Sequence, residues 1–252
     1  MKEKLYTIEL TDAVSADDEC CFCWLERKLE QENLEFVLGS SYMESDIREQ
    51  TDRQGFCRHH TKMMYDYGNN LGNAWILKSR LDYLNKELAQ QMKQYAPGKA
   101  AGFLARLKKS EPVGNGAERW IRAEEGHCYV CGRMAGIYER MLDTFVYLLR
   151  NDAGFGESLI SSKGFCVHHF ADVLRVCERE LTEAEKAYWM PKLFALMTRN
   201  LDRVQEDIDW LIEKYDYRNK DADWRNSKDA VQRTMQKIVG GFPGDPVFQS
   251  KK

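Results

Sequence analysis

The chain has 252 residues with 37 basic and 40 acidic side chains, a net charge of −3, and 43% apolar residues. That composition can bury a core, unlike a disordered chain, and its size allows one large domain or two small ones. The near-neutral, interleaved charge gives no basis for nucleic-acid binding, and no stretch approaches the roughly 18 apolar residues of a membrane span. Met1 to Leu10 holds no apolar run of secretory-signal length. A cytoplasmic protein is expected.

In chain order, the first notable feature is Glu19-Cys20-Cys21-Phe22-Cys23. Phe22, Leu25, Leu29 and Phe36 then step by 3, 4 and 7, which predicts a helix from about Cys23 to Leu38 with Gly39 as its stop. Gly55-Phe56-Cys57-Arg58-His59-His60 follows. From there His60, Met64, Tyr67, Leu71 and Ala74 recur at helical spacing, and the pattern continues through Leu77, Leu81, Leu84 and Leu88. One long element is predicted, kinked or closely approached at Gly68 and Gly72. Residues 97–117 read as a linker, in which Phe103, Leu104 and Leu107 oppose Arg106, Lys108 and Lys109. A covering helix or a connector is expected there.

The second half begins with His127-Cys128-Tyr129-Val130-Cys131 and continues to Gly164-Phe165-Cys166-Val167-His168-His169. One helix is predicted from Tyr129 to Leu149 and another from Cys166. Thr182-Glu-Ala-Glu185 is a capping-box sequence opening a helix that carries Leu193, Met197, Val204, Ile208 and Leu211, with Pro191 expected to divide it. After a charged stretch from Tyr215 to Arg225, Asn226-Ser-Lys-Asp-Ala230 leads to Val231, Met235 and Ile238. That pattern fits a capped C-terminal helix, stopping at Gly240-Gly241 and packed on the body.

The two halves carry one repeated pattern. Cys20 lies 37 residues before Cys57, and Cys128 lies 38 before Cys166. Each copy is C-x2-C followed by G-F-C-x-H-H, so the expected fold is all-α with a duplicated helical unit. The expected organisation is a first metal-binding repeat at 1–96, the linker 97–117, a second repeat at 118–215, and a charged linker with the C-terminal helix at 216–252. Cys21 faces Tyr129 across the copies and Cys177 has no counterpart, so both read as small buried hydrophobes.

Residues three apart share a helix face, so C-x2-C and C-x2-H can each aim two ligands at one point. Within each copy this predicts two Cys3His sites: Cys20, Cys23, Cys57 and His60 in the first, and Cys128, Cys131, Cys166 and His169 in the second. Such a set is standard for structural zinc, two ions per chain. An iron–sulfur cluster is the alternative. Disulfides would leave the histidines unexplained, and thioredoxin-like chemistry needs a βαβ pattern not found here. His59 and His168 remain as supporting donors, alternative ligands or a proton-transfer pair, while His127 matches Glu19 and reads as incidental.

The ordered motifs Glu19-Cys20-x2-Cys23, Ser41-Tyr-Met-Glu-Ser-Asp46, Gly55-Phe-Cys-x-x-His60, Met64-Tyr-Asp-Tyr-Gly-Asn69, Cys128-Tyr-Val-Cys131, Gly164-Phe-Cys166 and Asp223-Trp-x-Asn-Ser-Lys-Asp-Ala230 resemble the bacterial domain-of-unknown-function family 6062. The resemblance spans nearly the whole chain, with Cys21 a minor departure. It implies the architecture and no activity. The expected function is a zinc-stapled binding or adaptor module with a protein or small-molecule partner, leaning away from an enzyme. A redox protein or metalloenzyme using His59 and His168 is the alternative.

Overall fold

The computed structural model describes residues 4–94 and 116–241. Eleven α-helices and no strand occur among the described residues. They are α1 (Thr7–Ser15), α2 (Cys21–Leu38), α3 (Ser45–Gln54), α4 (Arg58–Tyr67), α5 (Asn70–Lys93) and α6 (Gly116–Glu125), then α7 (Tyr129–Asn151), α8 (Ala153–Ser161), α9 (Val167–Glu180), α10 (Glu183–Glu213) and α11 (Ala230–Val239). The amphipathic piece at Phe103–Lys109 lies outside the described residues.

These helices divide into two compact units. Unit 1 holds residues 4–30 and 134–241, and unit 2 holds 31–94 and 116–133. The chain passes between units inside α2 and inside α7. The units therefore differ from the sequence-order blocks 1–96 and 118–215. Each takes the C-x2-C of one copy and the G-F-C-x-H-H of the other. The physical reason is continuity: α2 and α7 are single long helices whose opposite ends bury in different cores.

Unit 1 has the larger core. Phe22, Leu25, Phe145, Phe155, Leu159, Phe165, Val173, Leu193 and Leu196 are all buried in one cluster. In unit 2 the buried apolar residues include Leu34, Val37, Leu38, Met64 and Ile76. There the long element predicted from Cys57 is two helices. Gly68 ends α4 with a left-handed φ of 83°, and the Asn69 side chain caps α5 by accepting from the Gly72 N–H at 2.9 Å. A β-carbon on Gly72 would lie 2.7 Å from the Asn69 amide nitrogen, so this glycine makes room for the cap.

In unit 1, Pro191 lies inside α10 without dividing it. A proline in a helix interior costs about 3 kcal/mol, whereas burying each large apolar side chain returns about 1.5–3 kcal/mol. Trp189, Leu193, Leu196 and Met197 are buried on both sides of it. Packing wins.

The capping box at the start of α10 forms as expected. Thr182 Oγ1 accepts from the Glu185 N–H, the Glu185 carboxylate accepts from the Thr182 N–H, and Arg150 pairs with Glu185 at 2.8 Å. Arg150 first, then the Thr182 backbone, draws the Glu185 carboxyl down to about 2. A depressed carboxyl stabilises the fold above its unfolded value near 4.5 and loses that contribution as pH falls toward 2. A carbon-13 NMR titration of Glu185 is expected to give a midpoint near 2, moving up in Arg150→Ala. An ordinary midpoint in the parent protein would contradict this arrangement.

The C-terminal helix α11 packs on α9 and α10, with an unexpected face inward. Ala230, Arg233, Gln236 and Lys237 are buried, while Val231, Met235 and Ile238 are exposed. Ion pairs explain the inversion: Arg233 reaches Asp207 at 2.7 Å and Asp229 at 2.9 Å. Asp229 makes no side-chain cap bond at the start of this helix.

Candidate metal centres

All eight predicted ligand residues gather in two groups of four, with exchanged partners. Cys20 and Cys23 meet Cys166 and His169, whereas Cys128 and Cys131 meet Cys57 and His60. The pairing expected within each copy is thereby corrected to a pairing across copies. Helix geometry fixes which two residues within a motif half converge, and both pairings satisfy it equally. The tertiary packing decides between them.

In unit 1, Cys20 and Cys23 flank the start of α2, and Cys166 is the N-cap residue of α9. His169 Nδ1 lies 3.3 Å from Cys20 Sγ, 3.4 Å from Cys23 Sγ and 3.2 Å from Cys166 Sγ, and the Cys23 and Cys166 sulfurs are 3.8 Å apart. The other ring nitrogen, Nε2, stands 3.1 Å from the Glu26 carboxylate. A carboxylate behind the ring is the usual support for a metal-ligating histidine. All four residues are at most 3% exposed. Aromatic rings seal the group: Phe22 lies 5.9 Å from the His169 ring, 5.6 Å from Tyr138 and Phe145, and 6.0 Å from Phe165.

Unit 2 repeats the plan. Cys57 is the N-cap residue of α4, and Cys128 and Cys131 flank the start of α7. His60 Nδ1 lies 3.2 Å from Cys57 Sγ, 3.3 Å from Cys128 Sγ and 3.4 Å from Cys131 Sγ. Here the enclosure is incomplete. His60 is buried, Cys57 and Cys128 are half-buried, and Cys131 is exposed. Arg80 ties the two ligand-bearing limbs together, donating to the Asp52 carbonyl at 2.5 Å and pairing with Glu124 at 2.8 Å.

The same backbone bond closes both groups. The Cys21 N–H donates to the Gly164 carbonyl at 3.2 Å, and the Tyr129 N–H donates to the Gly55 carbonyl at 2.9 Å. Gly55 and Gly164 adopt φ of 59° and 74°, a region that penalises a side chain. A β-carbon would also approach Arg80 at 3.0 Å in one case and Leu196 at 3.2 Å in the other. Gly164→Ala is expected to cost about 1–3 kcal/mol, read from the shift of the urea midpoint. No shift would contradict the strained-turn assignment.

Without an ion, each centre shares charge between thiol and imidazole. In unit 1, burial drives the Cys20 thiol up, while hydrogen bonds from Cys20 and Cys23 hold Cys166 far below the ordinary thiol range. Burial works against charge on His169, yet Cys166, Cys23 and Glu26 lift its imidazole to about 12. In unit 2, burial opposes ionisation of Cys128, but the bond with His60 draws it down to about 6. Burial and the neighbouring Cys128 push Cys131 up to about 12.

The donor set fits a tetrahedral ion. Bond lengths of about 2.3 Å to sulfur and 2.0 Å to nitrogen imply ligand edges of roughly 3.5–3.8 Å. The separations lie close to that range, and all ligand atoms within each group lie within 4.8 Å of one another. Cys21 and Cys177 stand apart in the apolar core of unit 1, where burial pushes both thiols up, Cys177 to about 12. His59 and His168 fall outside both Cys3His groups. The His168 side chain is exposed, 4.0 Å from Asp172. His127 lines an open apolar cavity of about 440 Å³ between α5 and α6, with Phe56, Leu84, Leu88 and Trp120.

The sequence matches the family of unknown function DUF6062 over residues 1–245. The chain belongs to the DUF6062 family. No curated protein and no solved structure matches it. Among the described residues, none of its helices is long and apolar enough to cross a membrane.

Proposed function

We propose that this DUF6062 protein is a zinc-stapled helical scaffold that works as a binding or adaptor module. One observation carries the reading: three sulfurs and one imidazole nitrogen converge in each unit, on residues whose backbones come from distant helix starts. Three thiolates around Zn²⁺ leave a net −1, which helix N-termini favour through their free N–H groups. The His169 N–H donates to Cys166 Sγ at 3.4 Å in this way.

The spacing supports a single ion over an iron–sulfur cluster. A cubane places iron and sulfide between its ligands and spreads the cysteine sulfurs to on the order of 6 Å. The Cys23–Cys166 and Cys57–Cys131 separations are 3.8 and 4.0 Å. Four protein ligands also leave no coordination position for water or substrate, which favours a structural role. A reducing, cytoplasmic setting suits eight free thiols. A protein or small-molecule partner would dock on the surface of this scaffold.

Metal analysis with an absorption spectrum, on protein purified without oxygen, tests the reading. The expected result is two zinc ions per chain and no visible absorbance. Stoichiometric iron with visible bands, or a metal-free protein that is fully helical, would overturn it.

A further inference from the structure

The polar face of α11 is aimed at the metal group of unit 1. Lys237 is 1% exposed. Its ammonium donates to the Glu19 carbonyl and the Lys163 carbonyl, both at 2.5 Å, and lies 3.2 Å from the Glu19 carboxylate. Glu19 immediately precedes Cys20, and Lys163 begins the turn Gly164-Phe165-Cys166. One side chain thus joins the two limbs that deliver all four ligands. The preceding residue, Gln236, donates to Asp18 at 2.6 Å, and Asp18 also accepts from the Cys20 N–H at 3.0 Å. Past the helix end, the Gly241 N–H donates to Cys23 Sγ at 3.3 Å. A β-carbon on Gly240 would sit 3.5 Å from Cys166 Sγ.

We propose that α11 is the latch of the Cys20/Cys23/Cys166/His169 centre, with Lys237 as the positioning residue that holds its two ligand limbs together. The proposal rests on the metal-binding reading above and assigns the closure of one site to a separate element of the chain. The inverted helix follows from this role. Beside the Arg233 ion pairs, Gln236 and Lys237 face inward because their partners are on the ligand limbs, and Val231, Met235 and Ile238 are left on the outer face. The latch also adds to the enclosure of this centre, through the Gly241 N–H on Cys23 Sγ.

The test uses full-length Lys237→Met, which keeps the aliphatic stem and removes the charge and donors, alongside Lys237→Arg and Gln236→Leu. Zinc release to a chromogenic chelator and maleimide labelling of each cysteine, mapped by mass spectrometry, are followed together. Loss of charged hydrogen bonds is expected to speed release of one of the two zinc ions about tenfold or more. Labelling of Cys20, Cys23 and Cys166 should accelerate in step, with Cys57, Cys128 and Cys131 unchanged. Lys237→Arg should recover part of the protection, and Gln236→Leu should show a smaller effect of the same kind. Unchanged release and labelling in Lys237→Met and Gln236→Leu would overturn the latch. If Lys237→Met fails to fold, the Gln236→Leu rates decide. If the parent protein carries no zinc, the metal reading falls, and the labelling rates alone judge the latch.

Discussion

Excess chelator is expected to remove the two metals from this protein in two separate phases, the unit 2 ion first. Access sets the order. Cys131 is exposed and Cys57 and Cys128 are half-buried, whereas every ligand of the unit 1 group is at most 3% exposed. The consequences also differ. A structural zinc site contributes on the order of 10–16 kcal/mol of apparent binding energy, comparable to or larger than the roughly 5–15 kcal/mol stability of a whole domain. Unit 2 has the smaller set of buried apolar side chains, so the first phase should be accompanied by loss of much of the helicity of α3–α6. Unit 1, with its extended aromatic and aliphatic cluster, should keep part of its helix content until the second phase. Far-UV circular dichroism recorded during chelation reads both. A single phase, or release with no loss of helix, would contradict the assignment of these metals as structural staples.

Phe22→Ala is expected to be among the most damaging single substitutions outside the ligands. The ring is fully buried between Cys20 and Cys23, and it touches aromatic neighbours from α7 and both Phe165 and His169 from the opposite limb. Truncating a buried phenylalanine costs about 3–5 kcal/mol, through lost transfer energy and the cavity left behind. Here the cavity would open beside His169, so the substitution should also speed release of the unit 1 metal while sparing the other. Urea denaturation of the zinc-loaded protein measures the first effect and chelator kinetics the second. A loss below about 1 kcal/mol would mean the ring is not the wedge between the two limbs.

The sequence made much of this legible, and the failures have physical causes. Helix α2 was readable because Phe22, Leu25 and Leu29 keep helical spacing and end up buried. The capping box at Thr182 was readable because its bonds are local. Helix α3 was not, since its ten residues are nearly all polar and only Thr51 is buried, which leaves no apolar period to detect. Helices α1 and α8 had usable signals. Leu10, Ala13 and Val14 share a face in α1, and Asp152 caps α8 by accepting from the Phe155 N–H at 3.0 Å. Pro191 departs from its local propensity because the buried residues on both sides of it hold the helix together. For α11 the periodicity of Val231, Met235 and Ile238 marked the true helix and the wrong face, because buried ion pairs leave no signature in apolar spacing.

The eight ligand residues were legible from motif spacing alone, but their partnership was not. Each C-x2-C has two chemically identical choices of G-F-C-x-H-H, separated from it by loops whose closure entropies differ little. The choice is made by long-range packing, such as Phe22 against Phe145 and Phe165. Crossing the copies would also make an ion in each group tie a segment from early in the chain to one more than 70 positions later. Loss of either ion would then release contacts that span a large part of the sequence.

The pairing itself is the central claim, and metal content of two double-serine variants tests it most directly. Cys23→Ser with Cys166→Ser removes two ligands from one group and leaves the other complete, so this protein should retain one zinc ion per chain. Cys23→Ser with Cys57→Ser damages both groups and should retain none. The reverse outcome, one ion in the second variant and none in the first, would place each site within a single copy and contradict the crossed arrangement.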